Sequence, residues 1–202
     1  MKITADMIKA LRAETSAGVL DCRRALQESN GDFQKAVEWL REKGMATAAS
    51  RADRVASSGV VELYSHGNGR VGVMVEVNCE TDFVARSQQF RTLAHEIALQ
   101  IAANSPKYVK PEDIPAPELE TEVDKARARG KEEGKSGPVV DKIVEGYVEK
   151  YKDEVCLLRQ TYIRDDSMTV EKLIMQNVAA IGENLIVRRF QRWELGEGTG
   201  VA

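Results

Sequence analysis

Apolar residues recur along this chain with two different periods, and the change of period divides it. Over the first 44 residues the spacing is helical. Ile3, Met7, Ile8 and Leu11 make one stripe, with Thr4 as a candidate N-cap, and Val19, Cys22, Ala25 and Leu26 make a second, with Ser16 as its cap. Phe33, Ala36, Val37 and Leu40 make a third behind Asp32. Asn30-Gly31 and Gly44 supply the stops, because both favour backbone that leaves the helix. Helices this short hold only by packing on one another, so residues 1–44 are predicted to form a three-helix bundle. "MATAASRADRVASS", residues 45–58, is small, basic and weakly patterned, and reads as a linker with partial helical character.

After the linker the period falls to two. "GVVELYS" and "RVGVMVEVN" flank the turn sequence "HGNG", which predicts a β-hairpin. Val71, Val73, Val75 and Val77 share the core face, and Gly72, Met74, Glu76 and Asn78 the other. Helical spacing returns with Phe90, Leu93, Ala94, Ile97 and Ile101, a helix to cover the sheet. Pro106, Pro111, Pro115 and Pro117 predict an irregular crossing. "PELETEVDKARARGKEEGK" reads as a charged helix facing solvent, and "PVVDKIVEGYVEKYKDE" as another helix. "VCLLRQTYI" then reads as a strand, "TVEKLIMQNVAAIG" as a helix, "NLIVRRFQRWEL" as a closing strand and "GEGTGVA" as a frayed tail. The prediction is an α+β fold: the bundle at 1–44, the linker at 45–58, an antiparallel-sheet core with packed helices at 59–195 and a flexible tail at 196–202.

Composition narrows what such a fold does. A chain of 202 residues with 43% hydrophobic and 30% charged residues can bury a real core and is not a disordered one. Lys and Arg number 29 against 32 Asp and Glu, interleaved, for a net charge of −3. Direct nucleic-acid binding draws its affinity from neutralising phosphates, and this balance argues against it. No apolar run approaches the roughly 18 residues that span a bilayer, so no membrane partner is expected. "MKITADMIKALRAE" carries acids and a helical pattern too early for a targeting peptide, which points to a cytoplasmic protein. Cys22, Cys79 and Cys156 are odd in number and widely spaced, which suits a reducing compartment.

Candidate chemistry is sparse. "GKEEGKSG" looks like a phosphate-binding loop, but Gly130 and Gly134 have three residues between them where the motif needs four, and a charged helix precedes it. The two histidines are His66, at the hairpin tip, and His95, within a helix. A nucleophilic pairing of Cys79 with a histidine has no support in the surrounding residues, and further ligands for a metal are missing. The expectation is a protein with no catalytic residues, metal, cofactor or small-molecule substrate.

One stretch stands apart. In "VNCETDFVARSQQF", residues 77–90, Asp82 and Phe83 occupy a connection between strand and helix. In one reading Phe83 tucks under the following helix while Asp82 helps cap it. In the other it is an exposed aromatic anchor beside an acid, the composition of a protein-docking hot spot. Both readings stand open on residue chemistry.

Here the sequence resembles a known family. "NCETDFVAR" is similar to the Asn-Cys-x-Thr-Asp-Phe-Val-Ala signature of elongation factor Ts. "AGVLDCRRALQESNGDFQKAVEWLREKG" resembles that family's ubiquitin-associated-type bundle, and "KIVEGYVEKYKDEVCLLRQTYIRDDSMTV" and "IGENLIVRRFQRWELGEG" resemble its C-terminal half. The resemblance implies a guanine-nucleotide exchange factor for elongation factor Tu. Phe83 would be the wedge that disturbs the Mg2+ and phosphate site, Asp82 its polar partner, and Thr81 and Val84 the frame. The bundle would touch the same GTP-binding domain through Arg12, Val19, Leu20 and Arg23, with Arg51 in the linker within reach. Relatives often carry Met where this chain has Val19 and Leu20, and the helical spacing also offers Val19 to the core. Longer relatives carry a duplicated core, and this chain has the signature once, which implies a homodimer. His66 of a partner subunit would then make a second contact with Tu, and open strand edges near Cys156 and from Leu185 to Trp193 would suit the seam. A ubiquitin- or peptide-binding adaptor that uses the bundle alone is the alternative.

Overall fold

Gly31 sits at φ 82° after Asn30 at φ 52°, and this left-handed pair ends the second of three N-terminal helices. The structure, a computed structural model, describes residues 3–15 and 17–198. Helices α1 (Ala5–Thr15), α2 (Val19–Glu28) and α3 (Phe33–Ala49) meet around Leu11, Cys22, Ala25, Leu26, Ala36, Val37 and Leu40. Two of the expected caps are in place. Thr4 Oγ1 accepts from the Met7 N–H at 3.3 Å, and Asp32 Oδ1 accepts from the Lys35 N–H at 3.1 Å. Ser16, the expected cap of α2, lies outside the described residues, and α2 begins after Gly18.

Two expectations for the bundle are corrected. Val19 is 51% exposed, because the first residue of α2 lies beyond the stripe formed by Cys22, Ala25 and Leu26. Gly44 is not a stop: α3 runs on to Ala49 through residues expected to be linker. A Cβ at Gly44 would stand 3.1 Å from the Ala179 Cβ, so this glycine lets a later helix approach closely.

Strands β1 (Ser58–His66) and β2 (Val71–Cys79) form the expected hairpin, and β5 (Ile186–Glu194) completes a three-stranded sheet in the order β1-β2-β5. Gly59 is required where β1 passes β2, since a Cβ there would lie 2.2 Å from the Val77 carbonyl oxygen. Val71, Val73, Val75 and Val77 are all buried. Asn78, expected on the open face, is buried too, and its Nδ2 donates to the Ser58 carbonyl at 3.2 Å.

Short helix α4 (Asp82–Arg86) and long helix α5 (Gln88–Asn104) follow. The expected stripe of α5, Phe90, Leu93, Ala94, Ile97 and Ile101, is buried throughout. Helices α6 (Ala116–Glu132) and α7 (Pro138–Val155) are joined by Tyr151 and Tyr147, whose hydroxyls donate to Glu118 at 2.5 Å and Glu122 at 3.2 Å. The glycine-rich segment between them is a turn after α6, with Gly134 at φ 71° and Gly137 at φ 59°.

"VCLLRQTYI" is not the expected strand. Val155 ends α7, Leu157–Arg159 is a 3-10 turn, and only Thr161–Tyr162 (β3) forms a strand, pairing with β4 (Asp165–Thr169). Val155, Cys156 and Leu157 are buried at a tight corner, where Cys156 pairs through its backbone with Tyr108, while Leu158 is half-buried and Ile163 is exposed. Cys156 is therefore not at an open edge, whereas β5 does end the sheet. Helix α8 (Val170–Ile181) leads into β5.

The result is a mixture of helices and antiparallel sheet, with the three helices ahead of the sheet core. Contacts group the chain into two units that interleave in sequence. One contains Met1–Val61, Glu76–Ala94 and Lys172–Ile186; the other contains Glu62–Val75, His95–Glu171 and Val187–Ala202. Among the described residues, no helix is long and apolar enough to cross a membrane.

Candidate functional site

Phe83 is 79% exposed, so the reading in which it tucks beneath the next helix is corrected. The cause is visible in the local geometry. Thr81, not Asp82, caps α4: its backbone is extended at φ −124°, and its hydroxyl oxygen accepts from the Val84 N–H at 3.4 Å. With the cap at 81, Asp82 and Phe83 become the first two helical residues, and Ala85 is the residue of α4 that turns inward. Asp82 instead pairs with Arg86 one helical turn later. The Arg86 guanidinium lies 5.9 Å from the centre of the Phe83 ring, close enough for a cation–π contact that limits the ring's freedom.

The turn is fastened from the far end of the same unit. Glu183, in the connection between α8 and β5, accepts from the Glu80 N–H at 3.0 Å and the Thr81 N–H at 3.1 Å through Oε2. Its Oε1 accepts from the Thr81 hydroxyl at 2.6 Å. Asn184 next to it donates its N–H to Glu80 Oε1 at 2.7 Å. Neither Glu183 nor Asn184 is marked by local pattern, although the polar pair directly after Gly182, in so short a connection, was a signal to look for a tether.

The bundle presents the other expected residues. Arg12, Arg23, Val19 and Leu20 are all exposed, Leu20 at 78%. Arg51 is half-buried and employed within the fold, donating to the Val178 carbonyl at 3.4 Å near the C-terminal end of α8. Val84 is half-buried behind Phe83 in sequence. In the other unit, His66 is exposed at the hairpin tip, and its Nδ1 shares a hydrogen bond with the Tyr64 hydroxyl at 2.9 Å. His95 pairs with Glu62 at 2.9 Å and takes the Tyr64 ring edge-on.

The cysteines are structural in their surroundings. Burial, with the Glu183 charge adding to it, pushes the Cys79 thiol up to about 11, and its Sγ donates to the Thr81 carbonyl at 3.2 Å. Burial pushes Cys156 to about 11 and raises Cys22 as well. A thiol so protonated is a poor nucleophile. No cluster of three or more His, Cys, Asp or Glu side chains able to hold a metal occurs among the described residues.

Comparison with known proteins agrees over nearly the whole chain. The model of the family described as elongation factor TS matches residues 5–197. The chain is 54% identical over 196 residues to "Elongation factor Ts" of Carboxydothermus hydrogenoformans, covering 97% of this chain and 90% of the relative. It is 53% identical over 196 residues to the protein of the same name from Caldanaerobacter subterraneus subsp. tengcongensis, covering 97% and 98%. These matches define the class, a translation elongation factor. The chain belongs to the elongation factor Ts family.

Proposed function

We propose that the chain is a guanine-nucleotide exchange factor that binds elongation factor Tu carrying GDP, disturbs its Mg2+ and phosphate site, and so releases GDP for GTP to replace. The observation that carries this reading is Phe83: a large apolar ring, 79% exposed, on a turn held by a network of hydrogen bonds. An exposed ring has no stability to contribute where it stands, and a fastened one arrives at a partner with little left to order. Phe83 acts as the wedge, Asp82 as its polar partner, and Thr81 and Val84 as the frame. Mg2+ is held by near-ideal octahedral geometry, so an ångström of displacement of its surroundings removes much of its hold on the nucleotide. Linkage is reciprocal: a factor that prefers nucleotide-free Tu weakens nucleotide binding by as much as nucleotide weakens its own.

The bundle, residues 1–44, makes a second contact with the same partner domain through Arg12, Val19, Leu20 and Arg23. Arg51, in the tether that follows α3, supports that contact by anchoring the tether on α8. The 59–195 core assembles as a homodimer, which brings His66 of the partner subunit to Tu. The protein itself makes and breaks no bond, uses no metal or cofactor, and works in the cytoplasm. The adaptor reading leaves a fastened Phe83 turn without a task.

Release of fluorescent GDP from purified Tu tests the proposal. Phe83→Ala is expected to abolish most of the stimulated release while the protein melts close to the parent; normal exchange by the folded variant would return the ring to a passive role. Light scattering during gel filtration tests the dimer, and a mass near 22.4 kDa with full exchange activity would exclude it.

A further inference from the structure

The hold on the Phe83 turn comes from a residue that the exchange reading does not use. Glu183 receives hydrogen bonds from two consecutive residues, two from backbone N–H groups and one from a hydroxyl. Backbone donors have no rotamers, so the carboxylate fixes the peptide planes on either side of Glu80, leading into Thr81, and not merely a side chain. The hold is mutual. Glu80 accepts from the Asn184 N–H at 2.7 Å, and Asn184 Nδ2 donates to the carbonyls of Ala52 and Arg54 at 3.1 and 2.8 Å. Arg54 closes the ring of contacts with its guanidinium 3.7 Å from Glu80. Three connections are thus knotted together: the tether after α3, the turn before α4, and the turn after α8.

Helix α4 needs such an anchor. It is five residues long, its buried residue is Ala85, and a helix of this length has no independent stability. Without the clasp, the exposed ring on its first turn would sample directions, and a partner would have to select one of them on binding.

We propose that Glu183 is a positioning residue for nucleotide exchange: it aims Phe83 by fixing Thr81, the N-cap of the helix that carries the ring. This inference rests on the exchange reading above. It concerns the step in which the ring enters the partner and leaves the first docking of the two proteins untouched. The signature of the role is therefore a loss in kcat with little change in KM, and a dependence on Phe83 itself.

The test is a double-mutant cycle in the full-length protein, read by release of fluorescent GDP from Tu. Glu183→Ala is expected to slow release at saturating factor by about tenfold, an order set by the sensitivity of such steps to ångström misplacement. KM for Tu carrying GDP should stay within about twofold. Glu183→Gln is expected to recover part of the rate, near a threefold slowing, since the amide oxygen can accept from an N–H and the amide nitrogen can donate to Thr81 Oγ1. In the Phe83→Ala background, Glu183→Ala should slow release no further. An equal factor in both backgrounds, or wild-type rates in both Glu183 variants, overturns the positioning role. Should Glu183→Ala not fold, Glu183→Gln decides by the same comparison of backgrounds, and a wild-type rate there overturns the role. Normal exchange by Phe83→Ala alone would overturn the exchange reading and the positioning role together, and that result is distinguishable because it shows in the single Phe83 variant.

Discussion

Phe83 and Phe90 carry the same ring, stand seven positions apart, and meet opposite surroundings: one is 79% exposed and the other has no exposed surface. Phe90 sits on a 17-residue helix whose inward stripe repeats at helical spacing, and burial follows from that repetition. Phe83 sits on a five-residue helix whose phase is set by where Thr81 caps it. One ring is placed by the hydrophobic effect acting along a stripe, the other by hydrogen bonds that fix a turn and leave the ring outside. The same contrast holds between two carboxylates. Glu118, in the other unit, takes the hydroxyls of Tyr108 and Tyr151, so it joins side chains between elements. Glu183 takes backbone groups, so it fixes a direction.

The largest expected effect is on Phe90. Phe90→Ala should remove about 3–5 kcal/mol of stability, read as a large drop in Tm, because it empties a fully packed site. Phe83→Ala should lose about 2–4 kcal/mol in the exchange transition state and little in Tm. If both variants lost stability equally, the contrast between the two rings would be broken. Glu118 sharpens the comparison of carboxylates. Hydrogen bonds from Tyr108 and Tyr151, helped by the Lys107 charge, hold its pKa below the ordinary carboxylate value against the desolvation of the site. A depressed folded pKa contributes stability above the unfolded value and loses it as pH falls through the folded one. The parent should therefore lose Tm on acidification below about pH 4.5, and Glu118→Gln should show a shallower loss there with an unchanged exchange rate. The smallest effect is on Arg86→Ala, which frees the ring from an exposed cation–π contact and should slow exchange by about two- to fivefold, the equivalent of about 0.5–1 kcal/mol.

These same residues show what the sequence makes legible. Hairpin, bundle and the buried stripe of α5 follow from period alone, because each is built from many residues that agree. Thr4 and Asp32 were readable as caps because a cap and its partner lie within one turn. The errors fall where a distant neighbour decides. Gly44 looks like a helix stop until Ala179 is seen 3.1 Å from where its Cβ would be. The strand-like run after Val155 is apolar because it turns a buried corner against Tyr108. Phe83 is exposed because Thr81, rather than Asp82, takes the cap, and Thr81 is held by a glutamate 102 positions away. Period and capping are local codes. The clasp on the candidate site joins residues 102 to 104 positions apart, and local pattern offers no more than the polar pair after Gly182.

That separation has a bearing on how the molecule is born. The three bundle helices are contiguous and can close on their own core while later residues are still being added, but the turn that carries Phe83 cannot be fastened until Glu183 and Asn184 exist. At about 5–20 residues per second, a ribosome needs roughly 5–20 s to cover the hundred or so positions between them. Throughout that interval the turn that carries Phe83 lacks its anchor, and the proposed exchange activity waits on residues 183 and 184.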